Sequence, residues 1–241
     1  HYPPNGWGCG CYVVGARNEQ GVRRLGGDPD KRPTAADLTT EGIDKGWDYA
    51  PGASVADTVQ QMAEKTRQWD YTLAKSYMQE LPPSVRDRFA TSYRALPSVA
   101  GDTRRYARSV LQDLKDVDRA PYRTLGLLTE SDVNAVLNLK RVDVAGFDFA
   151  LDVSSVKHVA NNHGNDQTER RRGQRGVTEE DYAHLPTILN TPDAVEDAGT
   201  NEMGAPLVRY QKRIAGELFS VVLNVRKGRK MLALTTLYIQ P

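Results

Sequence analysis

Apolar residues recur at helical spacing through the first half of the chain. Residues 54–77 carry one every three or four positions, which predicts a single helix of about six turns with Ser54 as its N-cap. The same spacing predicts two further helices over residues 84–96 and 99–117. Because their connections are short, we expect the three helices to form a small antiparallel bundle that carries no chemistry of its own.

The second half begins with a mixture of strand and helix patterns. Residues 124–128 and 142–151 have the composition or alternation of strands, the second with a turn or bulge near Gly146. Helical spacing covers residues 131–139 and 153–162. This order predicts that the second strand leads directly into the second helix.

A further helix and three strands complete the chain. Thr178 and the acids after it predict a helix start, Pro192 predicts its end, and residues 193–205 form a polar loop. The last residues alternate between apolar and polar in three runs, with turns at Gly216 and at Lys227-Gly228. An antiparallel meander is therefore expected, with strands over residues 207–214, 218–226 and 230–239.

Four segments result from these patterns. Residues 16–53 are polar and rich in turn signals, which predicts an irregular linker between a short N-terminal segment and the helices. Pro121 and the mixed charges around it place a boundary between the helical region and the C-terminal half of the chain. The predicted segments are residues 1–15, 16–53, 54–118 and 119–241.

Composition limits the classes of protein that fit. No apolar run reaches the length of a membrane span, so a soluble protein is expected. The net charge is +1, yet from residue 206 onward there are seven basic residues and one acid, which provides a local surface for an anionic ligand. The chain starts at His1 without methionine or a signal-like segment, which suggests a fragment of something longer.

Two of the four histidines lie close together, at His158 and His163. Histidine can both take and give a proton near neutral pH, as general acid–base catalysis requires. The spacing differs from the i, i+4 pair that binds zinc on one helical face, so a metal site here is disfavoured. The alternative is structural, with one histidine packed and the other at the C-terminal end of its helix.

A basic stretch without apolar residues comes after the histidines, over residues 167–175. We expect it to be a mobile loop, which suits either a substrate-gripping element or a plain surface loop. The basic candidates in the stretch are Arg170, Arg171, Arg172 and Arg175.

In the meander, alternation places Tyr210 with Lys212 on one face of their strand, and Thr236 with Tyr238 on one face of the last strand.

The first residues resemble a known family. The string His-x-Pro-x-Asn-x-Trp-x-Cys-x-Cys over residues 1–11, followed by Gly-Trp-Asp-Tyr-Ala-Pro-Gly over residues 46–52, is similar to the end of the phage Mu F-type minor head protein domain. The family usually has arginine between the cysteines, where this chain has Gly10. Cys9 and Cys11 are too close for an ordinary disulfide framework, and with His1 they form only a weak zinc signal.

The layout after residue 121 resembles phage members of the Barnase, EndoU, Colicin and RelE nuclease superfamily. The resemblance rests on His-x4-His, on Thr-Glu-Glu-Asp-Tyr followed by Leu-Pro-x-Ile-Leu, on a Tyr-x-Lys strand, and on a closing Leu-x-Leu-x-Thr-x-Tyr strand. It implies an α+β fold with helices packed on a C-terminal antiparallel sheet. It also implies metal-independent RNA cleavage without a cofactor, by attack of the 2′-hydroxyl to leave a 2′,3′-cyclic phosphate.

The resemblance also suggests roles for particular residues. His158 and His163 become the acid–base candidates, Lys212 the phosphate cation, and Thr236 a phosphate hydrogen-bond donor. Arg209, Tyr210, Lys230 and Tyr238 become candidates for substrate binding. The four arginines of the basic stretch are candidates for the same role because of their charge, not because of the resemblance. The implied partners are an RNA substrate, a tRNA among the candidates, together with phage head or portal proteins and an immunity protein, with no membrane.

The implied location is the virion, followed by the host cytoplasm after delivery. A non-catalytic virion protein for head morphogenesis or nucleic-acid binding is the alternative, because a basic meander suits that role as well.

Overall fold

The computed structural model describes residues 14–32, 34, 55–112 and 121–241. The chain separates into two compact units, residues 1–58 and 59–241. In the first unit, the predicted linker contains one short helix, α1 (Glu19–Arg24), which the side chain of Asn18 caps by accepting the Gly21 N–H. The predicted head-domain end, with both cysteines, and the element at residues 46–52 lie outside the described residues.

Four helices occupy the region where three were predicted. They are α2 (Val55–Arg67), α3 (Tyr71–Glu80), α4 (Pro83–Ala95) and α5 (Pro97–Leu111). The single helix predicted over residues 54–77 is wrong, because Asp70 interrupts it and caps α3 by accepting the Thr72 N–H at 2.9 Å. Prolines at the first positions of α4 and α5 fit helix starts, where no donor is needed. Ser54 and residues 113–117 lie outside the described part of the chain.

The C-terminal half forms a six-stranded sheet with helices between its strands. Its elements are β1 (Tyr122–Leu127), α6 (Glu130–Lys140), β2 (Asp148–Asp152), α7 (Val153–His163), α8 (Asp166–Arg170), a 3-10 helix (Glu179–His184), α9 (Leu185–Asn190), β3 (Ala194–Thr200), β4 (Pro206–Ile214), β5 (Glu217–Arg226), a 3-10 turn (Lys227–Arg229) and β6 (Met231–Gln240).

The strand order is β1-β2-β6-β5-β4-β3. The predicted α+β class and the β4-β5-β6 meander are confirmed. The sheet is mixed rather than antiparallel throughout, because β2 pairs parallel to β6. Two boundaries differ from prediction. Of the run 142–151, only residues 148–151 lie in a strand, which continues to Asp152, and the predicted loop 193–205 contains the edge strand β3. An edge strand with one paired side tolerates this polar sequence.

One face of the sheet carries the main hydrophobic core. Phe149, Tyr210 and Leu232 point into it and are fully buried, and α7 and α9 pack on them. Tyr106 of α5 belongs to the same core. The boundary predicted between residues 118 and 119 therefore falls within one packed unit, because a helix from before it supplies part of the core of the sheet.

The opposite face is covered at the β1 end by the earlier helices. Tyr71 of α3 and Tyr122 pack against three small or flexible residues of β2 and β6, which are Ala150, Met231 and Ala233. Lys75 of α3 donates to the fully buried carboxylate of Asp148 at 2.7 Å. Farther along the same face, β3 to β6 carry a set of polar side chains, here called the polar face: Glu196, Arg209, Gln211, Ser220, Thr236 and Tyr238.

Candidate active site

Local sequence fixes both ends of α7. Asp152 caps the helix by accepting the Ser155 N–H at 2.7 Å, and Oγ of Ser155 accepts the Asp152 N–H at 3.2 Å. At the other end, a β-carbon at Gly164 would collide with the carbonyl oxygen of Ala160, so only glycine fits there. His163 is the last residue of the helix, and Gly164 is its C-cap.

His163 is paired with a buried acid. Its Nδ1 lies 2.8 Å from Oε2 of Glu169, whose side chain is fully buried. Arg172 donates to the other carboxylate oxygen at 2.8 Å. Because a carboxylate only accepts, Nδ1 carries the proton and Nε2 of a neutral ring is the acceptor. The pair therefore presents a proton-accepting nitrogen away from Glu169.

Backbone hydrogen bonds hold this segment beside β6. The Val177 N–H donates to the carbonyl oxygen of His163 at 2.7 Å, and the Arg175 N–H donates to that of Ile239 at 3.0 Å. The His163 ring consequently lies beside the ring of Tyr238, with 6.0 Å between their centroids. A histidine from α7 and a tyrosine from the last strand thus meet at one edge of the polar face.

The register of β4, β5 and β6 places the guanidinium of Arg209 beside Tyr238. Arg209 lies opposite Val222, and Val222 lies opposite Thr236, so Arg209 and Thr236 share a row across three strands. Nη1 of Arg209 donates to Oη of Tyr238 at 3.3 Å, and Nη2 donates to Oε2 of Glu196 at 2.5 Å. The Glu196 carboxylate, and after it Tyr238, raises the pKa of Arg209 above its ordinary value. The cation is therefore fixed in place and permanently charged.

Thr236 adds an unpaired hydroxyl to this row. Its Oγ1 is buried and has no hydrogen-bond partner among the described residues, and the same holds for Oγ1 of Thr235. The β5–β6 register shifts between Val222 and Leu223, where Thr235 is the extra residue of a bulge. Bulges redirect side chains near functional sites, and here the buried hydroxyl of Thr236 is left without a partner on the row that contains Arg209.

His158 lies away from this cluster. Five residues along an α-helix turn its side chain by about 140° relative to that of His163. It is exposed, and its ring and carbonyl oxygen contact the side-chain nitrogen of Asn162 at 3.2 Å and 2.9 Å. The two histidines predicted as an acid–base pair therefore do not converge on one reacting group.

The predicted Tyr-x-Lys pair faces the other side of the sheet. Lys212 and Arg209 are three residues apart on β4, so alternation gives them opposite faces. Lys212 donates to the carbonyl oxygen of Thr191 at 2.5 Å, at the end of α9. Tyr210 is fully buried in the core against Phe149, where burial raises its pKa well above the ordinary range. Tyr210 is thus a core residue, and Arg209 occupies the place expected for the strand cation.

The basic stretch is more ordered than predicted. Residues 166–170 form α8, capped by Asn165, which accepts the Thr168 N–H at 3.0 Å. Arg175 is paired with both Asp181 and Glu217, which hold its pKa above the ordinary value, so it joins structural elements. Arg172 is paired with Glu169.

Arg170 and Arg171 are exposed on the same segment as His163, and Arg170 is bonded to Asp166. Lys230 lies at the turn before β6, and Tyr238 comes eight positions later, about 26 Å away along an extended strand. It is therefore remote from the cluster.

Two acids of the cluster have no distinctive local sequence pattern. Glu169 is six residues after His163 and sits within a basic stretch, where it resembles a surface charge. Glu196 belongs to a segment predicted as a loop, and its pairing with Arg209 depends on the β3–β4 register. Only the spacing of Glu169 from His163 indicates that this carboxylate pairs with the histidine at the end of α7. The sequence patterns therefore predicted neither Glu169 nor Glu196 as a site residue.

Metal sites and membrane spans are two further features that bear on function. Within residues 14–32, 34, 55–112 and 121–241, no cluster of three or more His, Cys, Asp or Glu residues could hold a metal ion. No helix in those ranges is both long and apolar enough to cross a membrane.

The cluster lies within a segment that is similar to a known family. No curated protein and no solved structure matches the chain. Residues 129–241 match the family model described as phage-Barnase-EndoU-ColicinE5/D-RelE like nuclease3. His163, Glu169, Glu196, Arg209, Thr236 and Tyr238 all fall inside that range. The match supports a nuclease domain of this type in the C-terminal part of the chain.

Proposed function

We propose that the chain is a metal-independent endoribonuclease that cleaves RNA by attack of a ribose 2′-hydroxyl on the adjacent phosphate. The observation that carries the proposal is the convergence of His163, Arg209 and Thr236 around Tyr238 on the polar face. The nuclease-family match supports cleavage of a phosphodiester in general. The choice of RNA rests on the chemistry of these side chains.

The reaction needs a base, a proton donor and charge stabilisation. Nε2 of His163 takes the proton from the 2′-hydroxyl, while Glu169 holds the opposite side of the ring. Arg209 and the hydroxyl of Thr236 hold the phosphate oxygens as charge develops on them. The products are a 2′,3′-cyclic phosphate and a free 5′-hydroxyl, and DNA is spared because it lacks the attacking group.

Substrate binding is assigned to exposed cations beside this cluster. Arg170 and Arg171 are solvent-exposed on the α8 segment that comes after His163. A positively charged groove that tracks the backbone is a common mode of single-strand binding. We therefore assign these two arginines to the RNA backbone, and a structured RNA such as a tRNA is a candidate target through family similarity.

The biological setting is suggested by the N-terminal resemblance. We propose that the chain is part of a phage minor head protein carried in the virion and active in the host cytoplasm after delivery. Head or portal proteins are then partners, and an immunity protein that blocks the polar face is a further one. The Cys-x-Cys string and the Gly-Trp-Asp-Tyr element support this setting.

The test uses the whole 241-residue chain. It is incubated in EDTA with total cellular RNA and, in parallel, with single-stranded DNA. We expect discrete RNA fragments that end in 2′,3′-cyclic phosphate, and intact DNA. Intact RNA from a folded chain, or cleavage that requires added metal, would overturn the proposal and favour a non-catalytic virion role.

A further inference from the structure

We propose that Tyr238 is the second catalytic residue, and that it donates the proton to the leaving 5′-oxygen. This inference rests on the proposed ribonuclease function and replaces the second histidine predicted from the sequence. Tyr238 is partly exposed on the polar face, with the His163 ring on one side and Arg209 on another. His158, the other expected acid, points away from this cluster.

Hydrogen-bond polarity leaves the phenolic proton available. A guanidinium has donors and no acceptor, so in the 3.3 Å contact between Arg209 and Tyr238 the phenolic oxygen must accept. The proton of Tyr238 is therefore not used in that bond. A tyrosine that accepts from a cation and keeps its own proton is suited to donate that proton to a substrate.

The same guanidinium stabilises the product of the transfer. Once Tyr238 has lost its proton, the phenolate faces the charged Arg209, and a hydrogen bond between two opposite charges replaces one from a cation to a neutral oxygen. Glu196 holds Arg209 through two bonds, from Nε at 3.1 Å and from Nη2 at 2.5 Å, which leaves Nη1 directed at Tyr238. Glu196 is thus a positioning residue that acts through Arg209.

The two rings lie close enough for both side chains to act on one phosphodiester. The centroids of His163 and Tyr238 are 6.0 Å apart, and in the proposed reaction the two side chains serve its attacking and leaving oxygens. The bond from the 2′-oxygen to phosphorus forms as the bond to the 5′-oxygen breaks. The 2′-proton passes to Nε2 of His163, and the Tyr238 proton passes to the 5′-oxygen. Proton exchange with water then restores both groups.

Leaving-group chemistry gives the decisive test. After the wild-type chain has cut total RNA and one cleavage position has been mapped, an oligonucleotide is prepared around that position in two forms. One has the natural 5′-oxygen at the cut, and the other has sulfur in its place, which leaves as a thiolate without needing a proton. Wild type, Tyr238→Phe and His163→Ala are compared on both forms.

We expect Tyr238→Phe to lose about 100-fold or more on the oxygen substrate, in the range of general acid catalysis, and to match wild type on the sulfur substrate. His163→Ala should remain slow on both, since attack still needs a base. Equal losses of Tyr238→Phe on both forms, or no loss on either, would overturn the role of Tyr238 alone. Failure of the wild type to cut any RNA would instead refute the ribonuclease function.

Unfolding temperatures show whether a loss of rate comes from a folding defect. Tyr77→Phe, which removes a phenolic oxygen from α3, serves as the matched control for unfolding temperature and should retain wild-type rates. We expect Tyr238→Phe to unfold at the wild-type temperature as well, so that its loss on the oxygen substrate reports the missing phenolic proton. A loss that accompanies a lowered unfolding temperature and that is equal on both substrates would contradict proton donation by Tyr238.

Discussion

Nδ1 of His163 lies 2.8 Å from the buried carboxylate of Glu169, so the proton-accepting side of the imidazole is set before any substrate arrives. The acid is held in turn by Arg172, and the backbone on both sides of the pair is bonded to its surroundings. A prepositioned base avoids a rearrangement during the reaction, which is the main benefit of a preorganised site.

Replacing Glu169 with glutamine keeps the size of the side chain and removes its negative charge. We expect Glu169→Gln to lower kcat on RNA while leaving KM unchanged, because the imidazolium formed on His163 loses its counter-charge and the RNA contacts remain. Steady-state kinetics on an oligonucleotide with the mapped cleavage site checks this split. A rise in KM with an unchanged kcat would assign Glu169 to substrate binding instead.

The two histidines of α7 give a matched pair of variants. We expect His163→Ala to lose activity by about 100-fold or more, the range for removal of a general base, and His158→Ala to retain the wild-type rate. Both changes remove an imidazole from the same helix, and the unfolding temperatures of the two variants distinguish lost catalysis from the loss of the contact between His163 and the buried Glu169. Initial rates on total RNA measure the difference, and equal losses in both variants would refute the assignment of His163.

Arg209 and Lys212 give a second matched pair of variants, because they lie on opposite faces of β4. We expect Arg209→Ala to lose most of the activity, because it removes the cation that contacts Tyr238, and Lys212→Ala to keep it, because Lys212 faces the end of α9. Cleavage rates at low and moderate salt are compared for both variants. Loss of activity in Lys212→Ala alone would restore the cation suggested by the sequence resemblance.

Sequence patterns predicted the helix and the strand that form this site better than they predicted the individual site residues. The helix that ends near His163 and the strand with Thr236 and Tyr238 are predicted by local spacing, and both are present. The face of a strand residue depends on register, and the Tyr-x-Lys motif favoured Tyr210 and Lys212, although the core occupies that face. Glu169 and Glu196 become relevant only through tertiary contacts, which no local pattern encodes.

The same limit applies to the fold. Alternation predicted the β4-β5-β6 meander, but the parallel pairing of β2 with β6 joins distant parts of the chain. The helices expected to form a separate bundle carry Tyr71 and Lys75, which contact the sheet. A helical stripe indicates that a face is buried, without indicating which surface covers it.

The ion pair between Lys75 and Asp148 makes stability depend on pH. Burial raises the pKa of Asp148 above its ordinary value, and Lys75 opposes that rise. In the Lys75→Met variant the pKa of Asp148 rises further, so Asp148 binds its proton more tightly in the folded state than in the unfolded state. The unfolding free energy of this variant should therefore fall as the pH rises above about 4, the ordinary pKa of a carboxyl group.

The expected loss at neutral pH is about 3–5 kcal/mol, typical of a buried charge left without its partner. Chemical denaturation of the full chain at several pH values measures it. Adding Asp148→Asn to Lys75→Met should remove the extra pH dependence, because no titrating group then remains at that position. An unchanged slope in the double variant would assign the pH dependence to another group.

The most direct measurement concerns the attacking group itself. An RNA oligonucleotide that contains the mapped cleavage position is prepared with a single 2′-O-methyl group on the nucleotide whose 2′-hydroxyl is expected to attack. We predict that the wild-type chain, in EDTA, leaves that position intact and still cuts the unmodified oligonucleotide to a 2′,3′-cyclic phosphate. Cleavage at the methylated position would show that water attacks the phosphate instead, and would contradict the mechanism built on His163.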